Sequence, residues 1–437
     1  MRKWYSLIDK VYSSKNLHQS YKLVRRNNGA PGVDGVSVKD YGENLSNRLN
    51  QLSVKLKEGA YTPQNVRRVM IPKADGGERP LGIPTVEDRV VQQAIVNILE
   101  PIFEPTFHNN SFGYRKGRSC HHAVAKAEDL MQQGYTSVLD MDLSKCFDTL
   151  SHEIILKCLN VRISDGKLLK LIKGFLKSGV MYHGKSEATD IGSPQGGVIS
   201  PLLMNIYLNH FDHYMRRNGV PLVRYADDIL LFAPHRQELG RIRKLAFDYL
   251  EGTLELKINQ EKTKLREFTT GIEYLGFIIT PRMICIHPKR IKSFKNKVRA
   301  LTKRTGGGNL ADKIQDLNPL LRGWTNYFRL AKCNSTFLSL MKWIRRRLRM
   351  CKMREWKRSK ALHRAMRRRG YKGYIEKISM RRWRNAGCGY VHYALPNKSF
   401  DELGLFDMGK VQCNLLHLFK QDKFMHEPYT RSVRTVL

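Results

Sequence analysis

Two adjacent aspartates, Asp227 and Asp228, sit in the stretch VRYADDILLF (223–232) between two apolar, β-favouring runs. Leu222-Val223-Arg224-Tyr225 precedes them and Ile229-Leu230-Leu231-Phe232 follows, the signature of a hairpin with Ala226-Asp227-Asp228 at or near its tip. Neighbouring strand residues point to opposite faces, so adjacent carboxylates converge only where the chain turns. Two anionic groups beside apolar strands are costly unless a cation joins them. Taken alone, the pair reads first as a solvated structural turn, because Asp is a common turn former.

A second stretch, SVLDMDLSKCFDTL (137–150), shifts the balance. Its alternation sets Asp140 and Asp142 on one face of a strand, with Leu139, Met141 and Leu143 on the other. A strand carboxylate brought to a hairpin bearing two more makes an oxygen-rich site suited to Mg²⁺. Such ligands support two-metal catalysis of phosphoryl or nucleotidyl transfer, with the ions about 3.5–4 Å apart.

Other elements must position these groups. The run from Arg67 to Lys73 enters a turn at Asp75-Gly76-Gly77 and leaves through Arg79-Pro80-Leu81-Gly82. It reads as a β-hairpin carrying Arg67, Lys73 and Arg79 around a glycine tip. Cations on a movable hairpin can close over a triphosphate. Thr85 caps a helix through Val91, Ala94, Ile95 and Leu99, ended by Pro101. SFGYRKGRS (111–119) interleaves Phe112 and Tyr114 with Arg115, Lys116 and Arg118. That mixture suits a single nucleic-acid strand, cations meeting phosphates and rings meeting bases. The loop GSPQGG (192–197) leads to Ser200-Pro201, an N-cap and N1 pair. The helix after it has a core stripe of Leu203, Ile206, Tyr207, Phe211 and Tyr214 and stops at Gly219.

The 437 residues are enough for several cores, and a 41% hydrophobic content is that of a globular protein. Net charge is +38. Such a field repels itself unless a polyanion neutralises it, so nucleic acid is the expected partner and an anionic membrane surface the weaker alternative. The charge is concentrated: from Lys342 to Arg384 there are 19 Lys and Arg against two acids. Arg345, Arg346, Arg347 and Arg349 are the RNA-binding candidates there, against the bland reading of a solvated face. Segments broken at Gly306-Gly307-Gly308 and at 332–335 suggest three helices, with Trp324, Tyr327, Phe328, Trp343 and Trp356 as their apolar seam. No run of 18 apolar residues exists, so no bilayer span is expected. The N-terminus MRKWYSLIDKVYSS has no secretory core, and eight scattered cysteines without C-x-x-C read as reduced cytoplasmic thiols.

Taken in order, these motifs resemble the bacterial group II intron-encoded reverse transcriptase/maturase family. The resemblance rests on Tyr225-Ala226-Asp227-Asp228 with the upstream DLSKCFD, on IPKADGGERPLGIP (71–84), SFGYRKGRS, GSPQGGVISPLL (192–203), EYLGF (273–277) and LLRGWTNYFR (320–329). It runs from about Asn16 to about Leu405. It implies an α+β right-hand polymerase, with reverse transcriptase fingers and palm followed by an α-helical thumb/maturase domain X. The implied segments are an N-terminal extension at 1–60 that would lie along the template, its turn-rich loop NNGAPGVDG (27–35) otherwise reading as a mere linker, fingers and palm at 61–285, thumb at 286–375, and a small C-terminal RNA/DNA-binding module at 376–437. The implied activity is RNA-directed DNA synthesis on an RNA template and DNA primer from dNTPs. Assistance to a structured intron RNA in splicing and mobility, in the bacterial cytoplasm, goes with it.

The resemblance also implies roles. Two Mg²⁺ ions would be held at Asp142, Leu143, Asp227 and Asp228, with Asp140 and Asp148 structural. Arg67, Lys73, Arg79 and Gln195 would meet the nucleotide, and the Phe147 ring would lie under its sugar and exclude a 2′-hydroxyl. Leu256-Lys257-Ile258-Asn259 with Lys262 resembles the next polymerase motif, and Tyr274-Leu275-Gly276-Phe277 the hairpin that holds the primer end. Cys146 stands where relatives often have an aromatic, and the chain stops before a paired-cysteine endonuclease domain, implying an endonuclease-lacking form. Retron-like, diversity-generating and CRISPR-associated reverse transcriptases share the carboxylates. A protein that is chiefly an RNA-binding splicing factor is the alternative of another class.

Overall fold

The structure, a computed structural model, describes residues 3–72, 77–182, 185–187, 192 and 196–420. Lys73 and Gln195, both expected to meet the nucleotide, lie outside the described residues. The chain divides into two compact units, Met1–Glu267 and Phe268–Leu437. The division falls ahead of the expected boundary at 285, so the hairpin at 272–279 goes with the helical unit.

In the first unit, β1 (Val66–Pro72) and β2 (Glu78–Ile83) form the basic hairpin, in register from Arg67↔Ile83 to Pro72↔Glu78. Farther along are β3 (Ser137–Asp142), β4 (Val180–Tyr182) and β5 (Lys185–Glu187). β4 runs parallel to β1, giving a sheet of order β2-β1-β4-β5. A second, wholly antiparallel sheet of order β6-β7-β3-β8 is completed by β6 (Leu222–Tyr225), β7 (Asp228–Ala233) and β8 (Lys264–Glu267). Ile229 to Ala233 are all buried, so β7 is covered on both faces and reads as a continuous apolar run. Only Asp228, at its start, is exposed.

Helices hold this sheet. Thr85 Oγ1 accepts from Asp88 N at 3.1 Å and caps the helix Val86–Phe103. Pro101 does not end it: the helix continues to Phe103, although a proline there forgoes one i→i−4 bond. On the helix Ser200–Arg217 the expected serine cap is absent, because Ser200 is already helical and buried. Gln92 from the earlier helix does that work: its Oε1 accepts from Val198 N at 2.7 Å and Ile199 N at 3.3 Å. The loop at 27–35 is pinned to the same earlier helix, Arg89 donating to the Ala30 carbonyl at 2.8 Å.

The second unit opens with β9 (Ile272–Tyr274), β10 (Phe277–Ile279) and β11 (Ile284–Ile286), an antiparallel sheet of order β11-β10-β9. Its first turn is Leu275-Gly276, both left-handed at φ 48° and 85°. Leu275 tolerates that conformation because Tyr327 Oη holds its carbonyl at 2.8 Å. Three long helices follow: Pro288–Leu301, Leu310–Phe328 and Asn334–Glu355. Trp324 stacks on Phe294 at 4.3 Å and meets Phe328 at 4.7 Å, while Tyr327 and Phe328 pack on Phe277. Trp343 and Trp356 do not join that seam. Trp343 is ringed by cations, and Trp356 packs on a separate small core of Met353, Leu362, Met366, Trp383 and Val391. Among the described residues no helix is long and apolar enough to cross a membrane.

Candidate active site

Asp142, Asp227 and Asp228 lie at one end of the β6-β7-β3-β8 sheet. Asp142 is directly opposite Asp228 in the β3–β7 register, and Tyr225↔Asp228 closes β6–β7 with a two-residue turn of Ala226 and Asp227. Opposed residues of an antiparallel pair share a face, with Cβ atoms about 4.5–5.5 Å apart, and like charges there repel. Burial first, then the charge of Asp142, pushes the Asp227 carboxyl above the usual carboxylate range; Arg79 and Arg224 pull it back. Burial and then the charges of Asp227, Asp142 and Asp140 push Asp228 up to about 7, with Lys262 opposing. Asp228 opens to solvent, so water weakens the contribution of burial and the repulsion is the part that a cation would relieve.

The donor set fits a hard divalent cation: carboxylate oxygens that resist sharing a site without positive charge. Among the described residues no three His, Cys, Asp or Glu side chains already stand in an ion-holding cluster. Lys262 supplies local positive charge, its Nζ 3.3 Å from Asp142 Oδ2. Asn259 N donates to the Asp142 carbonyl and Ser144 N to the Lys257 carbonyl, both at 2.9 Å, so the segment 256–262 is fastened beside β3. The Leu143 side chain is in the core, leaving only its main-chain carbonyl as an oxygen donor. Asp140 is turned to another use, an ion pair with Arg266 at 3.1 Å.

The turn is strained and firmly held. Ala226 has φ +61°, a region that disfavours a Cβ. Arg224 and Asp212, both fully buried, form a paired fork, with Nη2 at 2.7 Å from Oδ2 and Nε at 2.9 Å from Oδ1. Arg224 Nη1 also donates to the Ala226 carbonyl at 3.1 Å and to Asn205 Oδ1 at 2.9 Å. Asn205 Nδ2 in turn donates to the Gly113 carbonyl at 2.9 Å. Gly113 presses its backbone on Ala226 N so closely that any side chain would collide. Pattern reading missed this network, although a cation among the apolar residues of LVRY was its signal: a buried charge demands a partner.

Around the carboxylates, Phe147 is half-buried in the short helix Cys146–Thr149, with the exposed Tyr114 ring edge-on at 6.4 Å. Arg67 has an enclosed Nε without a hydrogen-bond partner, and Arg79 is exposed on β2. The backbone of Gly196, at φ +117°, lies against the Gly82 carbonyl, setting the end of the 192–197 loop on that hairpin.

Of the arginines read as RNA contacts, Arg115, Arg345 and Arg349 need correcting. Arg115 is buried, forks onto Glu104 at 2.7 Å and donates to the His108 and Ser111 carbonyls, so no donor is left to offer. Phe112 beside it is core. Arg118 donates to the Asn109 carbonyl and lies over Phe112 at 5.6 Å, while Lys116 remains exposed. Arg349 is buried, bonded to the Leu395 carbonyl and Asn397 Oδ1 at 2.9 Å each. Arg345 pairs with Asp407 at 2.8 Å, and Arg347 is held by Thr302. Of the four, only Arg346 is exposed.

The reverse transcriptase (RNA-dependent DNA polymerase) family matches residues 71–279, and the maturase-specific domain of group II introns matches residues 291–370. Protein YkfC of Escherichia coli (strain K12) is 37% identical over 300 residues, 60% of this chain and 79% of that one. The group II intron-encoded protein LtrA of Lactococcus lactis subsp. cremoris is 35% identical over 253 residues, 56% of this chain and 41% of that one. The chain thus spans most of one relative's length and under half of the other's.

Proposed function

The chain belongs to the group II intron family of reverse transcriptases, RNA-directed DNA polymerases bearing a maturase-specific domain, and from that we propose how its residues divide the work. Asp142, Asp227 and Asp228 would hold two Mg²⁺ ions, with the Leu143 carbonyl as a further oxygen. When bound, such cations make the primer 3′-hydroxyl more acidic and neutralise charge at the α-phosphate it attacks. The protein's part is positioning. The β3–β7 register sets two carboxylates face to face, and the held Ala226-Asp227 turn adds the third. That register carries the reading.

Arg79, near enough to bias Asp227 electrostatically, and Arg67, with its unpartnered Nε, would meet the triphosphate of a dNTP. The half-buried Phe147 ring, buttressed by Tyr114, would face the sugar. Template RNA and DNA primer would be held by the excess of cations, and the 291–370 region would grip a structured intron RNA and assist its splicing. Asp227→Asn tests the core of this. It removes a ligand charge at constant volume, so primer extension should be abolished while RNA affinity stays within about twofold of wild type. Near-normal extension would place the metal site elsewhere.

A further inference from the structure

The second unit holds a cationic cluster that the polymerase chemistry does not use. Residues 288–305, the helix Pro288–Leu301 and the turn after it, contain eight Lys and Arg and no acid. At the C-terminal end of that helix lies a shallow cavity of about 460 Å³, lined by Arg299, Lys303, Arg304 and Arg347 with Asn296 and Thr305. No carboxylate is in the lining.

Two of these cations are fixed rather than splayed into water. Arg347 reaches in from the helix Asn334–Glu355, its Nε donating to Thr302 Oγ1 at 2.7 Å and its Nη2 to the Thr302 carbonyl at 2.9 Å. Arg299 is tied to Asn296 Oδ1 at 2.7 Å. Arg304 Nε is enclosed without a hydrogen-bond partner. Lys295, Arg299 and Arg347 all stand within 6 Å of the Trp343 ring centre, at 5.9, 5.7 and 5.5 Å. A ring face and a helix C-terminus offset only part of the repulsion among so many like charges. An ordinary solvated face would let the side chains separate; here hydrogen bonds hold Arg299 and Arg347 in place.

We propose that this cavity is a phosphate site, taking a backbone phosphodiester of a nucleic-acid strand independently of the polymerase carboxylates. Guanidinium forks match a tetrahedral oxyanion, and the Arg304 Nε has no acceptor inside the protein. Ala300 is the one apolar side chain in the lining, so the site reads phosphate and not base. The proposal rests on the reading that the chain binds nucleic acid; of the run at 345–349 it keeps Arg347 alone, and it places the other cations at the end of the helix Pro288–Leu301.

The test uses the full chain with Lys303→Gln/Arg304→Gln, side chains without a structural bond of their own, and a charge-matched control, Lys170→Gln/Lys173→Gln, on exposed lysines of the first unit. Arg304→Lys, which keeps the charge but loses the fork, is a third variant, and thermal melting checks that all fold. The probes are a single-stranded 30-mer RNA and the same sequence as DNA, titrated at several salt concentrations. Each lost contact lowers the salt slope by about 0.7 on a single strand, so the double variant should fall by about 1.4 and the control should not move. Equal falls on RNA and DNA assign the site to the backbone of either; a fall on RNA alone assigns it to an RNA strand. An unchanged slope, or an equal fall in the control, overturns the site. Asp227→Asn measured alongside should bind as wild type does, so a failure of the polymerase reading appears in its extension rate and not in these slopes.

Discussion

Replacing Arg224 and Asp212 singly and together should separate folding from catalysis. Both side chains are fully buried, so Arg224→Met strands the Asp212 charge at a cost of about 3–5 kcal/mol. It also leaves Asn205 Oδ1 and the Ala226 carbonyl short of a donor, at about 1–3 kcal/mol each. The double change Asp212→Leu/Arg224→Met removes the stranded charge but not the two orphaned acceptors. Urea denaturation should therefore find the double variant more stable than Arg224→Met by about 3 kcal/mol. Catalysis should not follow stability, because in both variants nothing holds the Ala226 carbonyl and the left-handed turn that presents Asp227 is free to relax. A shift of about 1 Å at a reacting centre costs on the order of a hundredfold. Single-turnover primer extension at saturating Mg²⁺ should fall about 10- to 100-fold in both variants. Asp212→Asn, which keeps an acceptor for Arg224, should lose stability but retain most of the rate. Recovery of the wild-type rate in the double variant would refute the reasoning and reduce Arg224 to a charge-balanced core residue.

The remaining expectations are narrower. Phe147→Ala removes the ring assigned to the sugar, and single-turnover extension with rNTPs against dNTPs should lose discrimination by at least about tenfold; an unchanged ratio would make Phe147 a packing residue only. Asp228, pushed up to about 7 by burial and its acidic neighbours, must shed its proton before it can hold a cation. The apparent Mg²⁺ affinity read from extension rates should rise with pH through that value and level off above about 8; a flat profile from pH 6 to 8 would contradict the repulsion argument. Arg349→Met should act as a core mutation: stability falls by about 2–4 kcal/mol as the Leu395 carbonyl and Asn397 lose their donor, while the folded fraction binds RNA with a wild-type salt slope.

The carboxylates were legible in the sequence because strand chemistry is local. Alternation placed Asp142 opposite Leu143, and the two apolar runs around Asp227-Asp228 could only be a hairpin, so the two strands and their turn emerge as expected. The register Asp142↔Asp228 was not legible, because the pairing of β3 with β7 joins segments almost ninety residues apart and depends on a shared core that no local pattern describes. The caps of the helix Ser200–Arg217 show the same limit. Ser200-Pro201 satisfies the local rule for a helix start, yet Gln92, over a hundred residues earlier, supplies the acceptor. A local rule describes what a residue can do, and a distant side chain that does it better displaces it.

Charge behaves in the opposite way to the carboxylates: its sum is readable and its distribution is not. The run at 345–349 looked like a polyanion-binding face because its cations are adjacent in sequence, but on a helix adjacent residues point in different directions. The direction decides the role. Arg349 turns into the core and Arg345 toward Asp407, where each is consumed as a structural donor. Arg347 turns toward Thr302 and joins Arg299, Lys303 and Arg304 at the end of a different helix, where no acid waits for it. Arg115 and Lys116 divide likewise, one locked on Glu104 and the other in solvent. Net charge therefore identifies the class of partner, whereas the surface that meets it is found by asking which cations remain after every internal acceptor has been counted.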